Sequence, residues 1–180
     1  MSTPSKPDVI DLLPRLQRYA QALTRDNAAA EDLVQDALVR AYERHHTFRP
    51  GGNLRTWLMS VLHNVFIDGR RRQRAETRKV EESAAVSDGL APPEQEWHVR
   101  LKQVGEAFAA LPDEQRAAVY LVSIEGLSYQ EAARSLDIPV GTLMSRLGRG
   151  RASLRAFEEG RGPGAARPRP RLRIVRGQHE

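Results

Sequence analysis

Apolar residues recur at steps of three and four along most of the chain, and strict alternation is almost absent. Ile10, Leu13, Leu16, Tyr19, Ala20 and Leu23 line one face of a first predicted helix. The stretch TRDNAAAED interrupts it, and Asp26 or Asn27 can cap the next helix. That helix buries Leu33, Val34, Ala37, Leu38, Ala41 and Tyr42, and turns Asp32, Gln35, Asp36, Arg40 and Glu43 outward. HHTFRPGGN is a loop by its Pro-Gly-Gly, after which Asn53 caps a third helix. Trp57, Leu58, Val61, Leu62, Val65 and Phe66 form its broad apolar stripe. Burying each such side chain contributes about 1.5–3 kcal/mol, so three helices can form one small core that ends near Arg74.

Composition then shifts. ETRKVEESAAVSDGLAPPEQE is polar, holds Gly89, Pro92 and Pro93, and reads as a linker between two helical cores. Helical spacing resumes around Glu94, with Trp97, Leu101, Val104 and Phe108 on one face. Pro112 suits the first turn of a further helix, which carries Ala117, Val119, Tyr120, Leu121 and Ile124 and stops at Gly126. Next comes LSYQEAARSLDIPVGTLMSRLGRGR, two short helical patterns hinged at LDIP. Ser128 and Glu131 make a capping box for the first. Pro139 opens the second without losing an amide hydrogen bond.

Val140, Leu143, Leu147, Gly150 and Leu154 give that last helix a buried stripe, while Thr142, Ser145, Arg146 and Arg149 fall elsewhere. Hydroxyls and guanidiniums reach phosphates, and arginine pairs bidentately with guanine in the major groove. The spacing fits a DNA-binding helix-turn-helix. It also fits a plain helical hairpin with a basic, solvated face. Gly148 and Gly150 weigh against a rigid helix, at about 1 kcal/mol each relative to alanine. Beyond Gly160, glycine, proline and arginine dominate and little remains to bury, so a disordered basic tail is expected.

The chain has 180 residues and a formal net charge of +5, with a pI near 10.1, which favours a polyanionic partner. It has no cysteine, which excludes disulfides, thiolate metal sites and thiol catalysis. No apolar run approaches the roughly 20 residues of a membrane span, and the N-terminus lacks a signal-peptide pattern. A soluble, cytoplasmic protein is expected. His45, His46, His63, His98 and His179 lack metal-ligand spacing, and no phosphate loop, G-x-S-x-G or H-E-x-x-H is present. Neither an enzyme site nor a cofactor is expected. Arg70, Arg71, Arg72 and Arg74 form the densest charge run before the tail, next to a helix bearing aromatics. Such a cluster can hold a phosphate backbone while bases stack, although Trp57 and Phe66 individually read as core.

AEDLVQDALVRAYE, FRPGGNLRTWLMSVLHNVFIDGRRR and LPDEQRAAVYLVSIEGLSYQEAARSLDIPVGTLMSRLGRGRASLR, in this order, resemble bacterial extracytoplasmic-function (ECF) sigma factors. The similarity covers about residues 10–75 and 98–156. It implies an all-α fold of two small helical domains, sigma-2 and sigma-4, joined by a flexible linker. The expected boundaries are 1–75 for sigma-2, 76–97 for the linker, 98–159 for sigma-4 and 160–180 for the tail.

The resemblance also implies roles. Asp32, Gln35, Asp36 and Val39 would face core RNA polymerase. Phe48 and Asn64 would capture an unstacked base of the −10 promoter element, and Arg70, Arg71 and Arg72 would hold phosphates. Thr142, Ser145, Arg146 and Arg149 would read the −35 element in duplex promoter DNA. Many members carry a basic residue where Met144 stands and a larger one than Gly148. The FRPGGNLRTWL block looks like alphaproteobacterial members, some of which serve the general stress response. Two domains on a polar linker have no strong reason to stay docked, so sequestration by an anti-sigma factor is the expected control. The competing readings are a stand-alone helix-turn-helix regulator that binds duplex as a dimer, and an adaptor whose basic faces bind acidic proteins.

Overall fold

The computed structural model describes residues 9–77 and 96–159, which hold seven α-helices and no strand. Most of the expected linker and all of the expected tail lie outside the described residues, as do the side chains of Trp97 and Leu101. Helix α1 runs Val9–Thr24, α2 Asn27–Glu43 and α3 Leu54–Thr77. Arg25, at φ +63°, turns the chain between α1 and α2. Asp26 caps α2, accepting from the Ala29 amide at 2.8 Å, and Asn53 caps α3, accepting from the Thr56 amide at 3.2 Å.

In the second half, α4 spans Glu96–Ala109, α5 Asp113–Val119, α6 Tyr129–Ser135 and α7 Val140–Glu158. Pro112 stands at the N-cap of α5. Residues Tyr120–Ile124 continue α5 as a single π-helical turn. Gly126, at φ +68°, then reverses the chain, a conformation glycine adopts without steric cost. The capping box forms as expected: Ser128 Oγ accepts from the Glu131 amide and Glu131 Oε2 accepts from the Ser128 amide. The Ser128 hydroxyl and then its amide, both donating to the Glu131 carboxylate, hold that carboxyl below its ordinary range.

Helix α7 is continuous through both of its interior glycines. Gly148 faces open space, whereas a Cβ at Gly150 would lie 2.7 Å from Val119 Cγ2. The missing side chain at Gly150 therefore lets α7 approach α5 closely. Gly150→Ala should destabilise the protein by about 1–3 kcal/mol through overpacking, whereas Gly148→Ala should be neutral or stabilising. Urea midpoints of the two variants check this.

Several expected core positions lie outside. Ile10, Tyr42 and Val140 are 70%, 82% and 38% exposed. Ile10 and Val140 sit in the first turns of their helices, and Tyr42 lies past the edge of the stripe ending at Ala41. Met59 and Arg116 are instead fully buried.

The two halves do not stand apart. One continuous core runs from Leu12, Leu16 and Tyr19 through Leu62 and Phe66 to Ala117, Leu121 and Leu143. The Tyr19 and Tyr120 rings stack with centroids 5.0 Å apart. Arg116 reaches from α5 to the Leu23 carbonyl of α1 at 3.0 Å. The expectation of two bodies without a fixed arrangement is thus corrected. Apolar positions that periodicity assigns to each half's own core, Tyr19 and Tyr120 among them, are shared between the halves.

Candidate polymerase and nucleic-acid interfaces

On α2, Asp32, Gln35, Asp36 and Val39 all face solvent. Leu33, Val34 and Ala37 point inward between them. Val39 is 59% exposed and Tyr42, one turn on, adds an uncovered ring. The surface therefore alternates carboxylates and amides with large apolar groups. That is the composition of a protein-binding face rather than of a nucleic-acid face.

Phe48 and Asn64, paired by the resemblance, do not meet. Phe48 packs against Trp57 with ring centroids 5.3 Å apart. The two line a hollow of about 420 Å³ with Arg49, Asn53 and Ser60. Asn64 lies in a separate cleft of about 390 Å³ with Arg71, and Arg146 of α7 lines the other side of it. The three consecutive arginines also diverge, as a helix requires. Arg70 forms an ion pair with Asp113 at 3.0 Å, Arg71 enters the cleft, and Arg72 borders a groove with Asp36, Val39 and Glu43 of α2.

On α7, Ser145 and Arg149 are exposed and Thr142 is half-buried. Arg149 Nε donates to the Ser145 carbonyl at 3.4 Å. Arg146 is held 3.0 Å from Glu114 of α5, with its side chain only 20% exposed. Met144, 53% exposed, shares the outer face. Periodicity could have singled it out, as an apolar residue on the face opposite the buried stripe.

The chain matches two family descriptions, Sigma-70 region 2 over residues 9–76 and Sigma-70, region 4 over residues 101–154. It is 35% identical over 150 residues to the ECF RNA polymerase sigma factor EcfG of Rhodopseudomonas palustris, covering 83% of this chain and 82% of that one. The chain is an ECF RNA polymerase sigma factor. The SigE sigma factor of Mycolicibacterium smegmatis is 37% identical over 79% of this chain and 57% of its own length. Among solved structures, the Bartonella quintana sigma factor RpoE, in complex with the anti-sigma factor NepR, superposes with a TM-score of 0.68. It shares 30% identity, over 84% of this chain and 94% of that one. In this sigma factor the α1–α3 layer is therefore region 2, and the helix-turn-helix of α6 and α7 belongs to region 4.

His63 was passed over in the sequence because it lacks ligand spacing. It is buried on α3, with Nδ1 3.1 Å from the Tyr19 hydroxyl. Burial, with Arg146 nearby, lowers its pKa to about 4. An unfolded imidazole titrates near 6.5, so between these values the unfolded chain binds the extra proton. Stability should therefore be intact above about pH 6.5 and fall by roughly 3 kcal/mol as pH drops to about 4. His63→Gln should flatten that slope, as urea midpoints across the range would show.

Proposed function

We propose that this sigma factor binds core RNA polymerase through α2 and directs promoter-specific initiation by reading the −10 element with region 2 and the −35 element with α7. The observation that carries the reading is the contrast between surfaces. The exposed face of α2 carries carboxylates and apolar groups while the exposed face of α7 carries Ser145 and Arg149, and of the three α3 arginines Arg72 borders the α2 face. In this reading Asp32, Gln35, Asp36 and Val39 contact polymerase. Phe48 and Asn64 receive −10 bases in the hollow and the cleft, and Arg70, Arg71 and Arg72 hold phosphates. Thr142, Ser145, Arg146 and Arg149 face the −35 groove. A recognition helix places its N-terminal residues against base edges, and Thr142 and Ser145 stand in the first two turns of α7.

Opening the duplex costs about 1.4 kcal/mol per step, and holding extruded bases in a pocket offsets part of it. The sigma factor supplies specificity and the polymerase supplies the chemistry, so it is not itself an enzyme. It acts in the cytoplasm, where polymerase is. The boundaries in this reading are 1–75, 76–97, 98–159 and 160–180. The Bartonella relative was solved with an anti-sigma factor, which supports such a partner here.

The test is reconstitution. Purified chain and core polymerase should initiate at specific sites in a promoter library, whereas a stand-alone regulator would bind duplex without initiating. A Gln35→Ala, Asp36→Ala double variant should hold its stability within about 0.5 kcal/mol, since both side chains are exposed. It should lose affinity for core polymerase. Unchanged capture of core polymerase would reject the assignment of α2.

A further inference from the structure

Leu143 and Leu147 are buried on α7, which fixes how that helix is rotated about its axis. Side chains three and four positions apart share a helix face. The face turned away from the core therefore carries Gly141, Met144, Ser145, Gly148 and Arg149, all of them exposed.

Two of these residues are glycines that the protein's own packing does not call for. A Cβ at Gly141 or at Gly148 would meet nothing within 4 Å, whereas one at Gly150 would press on Val119. Glycine weakens a helix interior, and at Gly148 no neighbour offsets the loss. What a bare helix surface does allow is close approach of a ligand to the backbone. Met144 stands one turn from each glycine and is 53% exposed. It projects as an apolar knob from a stripped surface.

Its chemistry narrows what it can meet. A thioether donates no hydrogen bond and accepts only weakly, so Met144 neither holds a phosphate nor pairs with the polar edge of a base. In the major groove the apolar group on offer is the C5-methyl of thymine. Set against a G·C pair, the same side chain would displace water from the cytosine amino group or the guanine acceptors and return no hydrogen bond.

We propose that Met144 is a specificity-determining residue of this sigma factor, packing on the methyl group of one thymine and so selecting an A·T pair within the −35 element. The inference rests on the reading of α7 as the −35 helix and adds the base that one of its residues selects.

Deoxyuridine lacks only that methyl and keeps every hydrogen-bonding group of thymidine. In a promoter at which the reconstituted holoenzyme initiates, each thymine of the −35 element, on either strand, is replaced singly by uracil. Holoenzyme affinity should fall about fourfold at one position, the loss expected for one buried methyl. With Met144→Ala the thymine and uracil forms of that position should bind alike, and the urea midpoint should hardly move, because the side chain is exposed. Met144→Arg should turn the preference at that pair toward guanine by roughly fivefold or more, since arginine pairs bidentately with guanine O6 and N7.

A uracil scan that is flat for the parent protein would overturn the assignment. So would a loss at the same position and of the same size in Met144→Ala. A holoenzyme that binds the promoter and a version with a scrambled −35 element equally well would reject α7 as the reader altogether, and the role of Met144 would fall with it.

Discussion

Replacing Arg116 with alanine should destabilise the protein by about 3–5 kcal/mol, the range for removing one partner of a buried charged network. Arg116 is fully buried. Its guanidinium donates to the carbonyls of Ala109, Leu111 and Leu23 and to the Asp113 carboxylate. Alanine would take a donor from three carbonyls and a carboxylate together, leaving Ala109 with Arg25 and Asp113 with Arg70 as remaining donors. Burial alone would raise the Asp113 pKa, but Arg116 and then Arg70 outweigh it and hold the carboxyl below its ordinary value. Without Arg116 only Arg70 is left to offset the burial. In a chain of this size the loss corresponds to a fall in Tm of roughly 6–20 °C. Arg116→Lys should recover only a minority of it, because a compact ammonium cannot span the same fork of acceptors. Adding Asp113→Ala to Arg116→Ala should cost less than the sum of the single losses, since both single variants break the same ion pair. Strictly additive losses in urea denaturation would show that the two groups do not act as a unit.

The second large effect is expected on promoter recognition. Arg149 is exposed on α7 with its Nε near the Ser145 carbonyl, a neighbour that water or a base edge can replace. Losing a base contact costs about 1–3 kcal/mol, so Arg149→Ala should weaken holoenzyme binding to its promoter by roughly 5- to 150-fold. Arg146 differs because Glu114 pairs with it at 3.0 Å. Its removal deletes a contact to DNA and also frees Glu114, so its net effect should be the smaller. The Arg146→Ala, Arg149→Ala double variant should no longer distinguish the promoter from one with a scrambled −35 element. If it transcribes both promoters as the parent does, α7 does not read that element.

Much of this architecture was legible in the sequence, because the signals that mark helix ends are local. Asp26, Asn53 and the Ser128–Glu131 pair each announce a helix start through a bond made within three residues, so short-range chemistry sufficed. Tyr42 misled because periodicity says which side of a helix is apolar, not where the covering neighbour ends. Arg116 was invisible for the opposite reason. Within DEQRAAV an arginine reads as solvated, and what buries it is the Leu23 carbonyl 93 positions earlier. The docking of the halves was missed on the same grounds, since a polar linker says nothing of how well the surfaces at its ends fit. At the candidate sites, sequence supplied the residue types, but not that Phe48 and Asn64 occupy separate recesses or that Arg70, Arg71 and Arg72 serve three surroundings.

The ring stack of Tyr19 on Tyr120 also bears on synthesis. A ribosome adds about 5–20 residues per second, so Tyr19 leaves it many seconds before its partner is made, and Leu23 before Arg116. During that interval α1–α3 carry an apolar face built for a neighbour that does not yet exist. A fragment ended after α3 keeps that face permanently bare and should aggregate more readily than the whole chain. Region 4 then acts as the last-made chaperone of region 2, covering in cis what a bystander protein would otherwise have to shield.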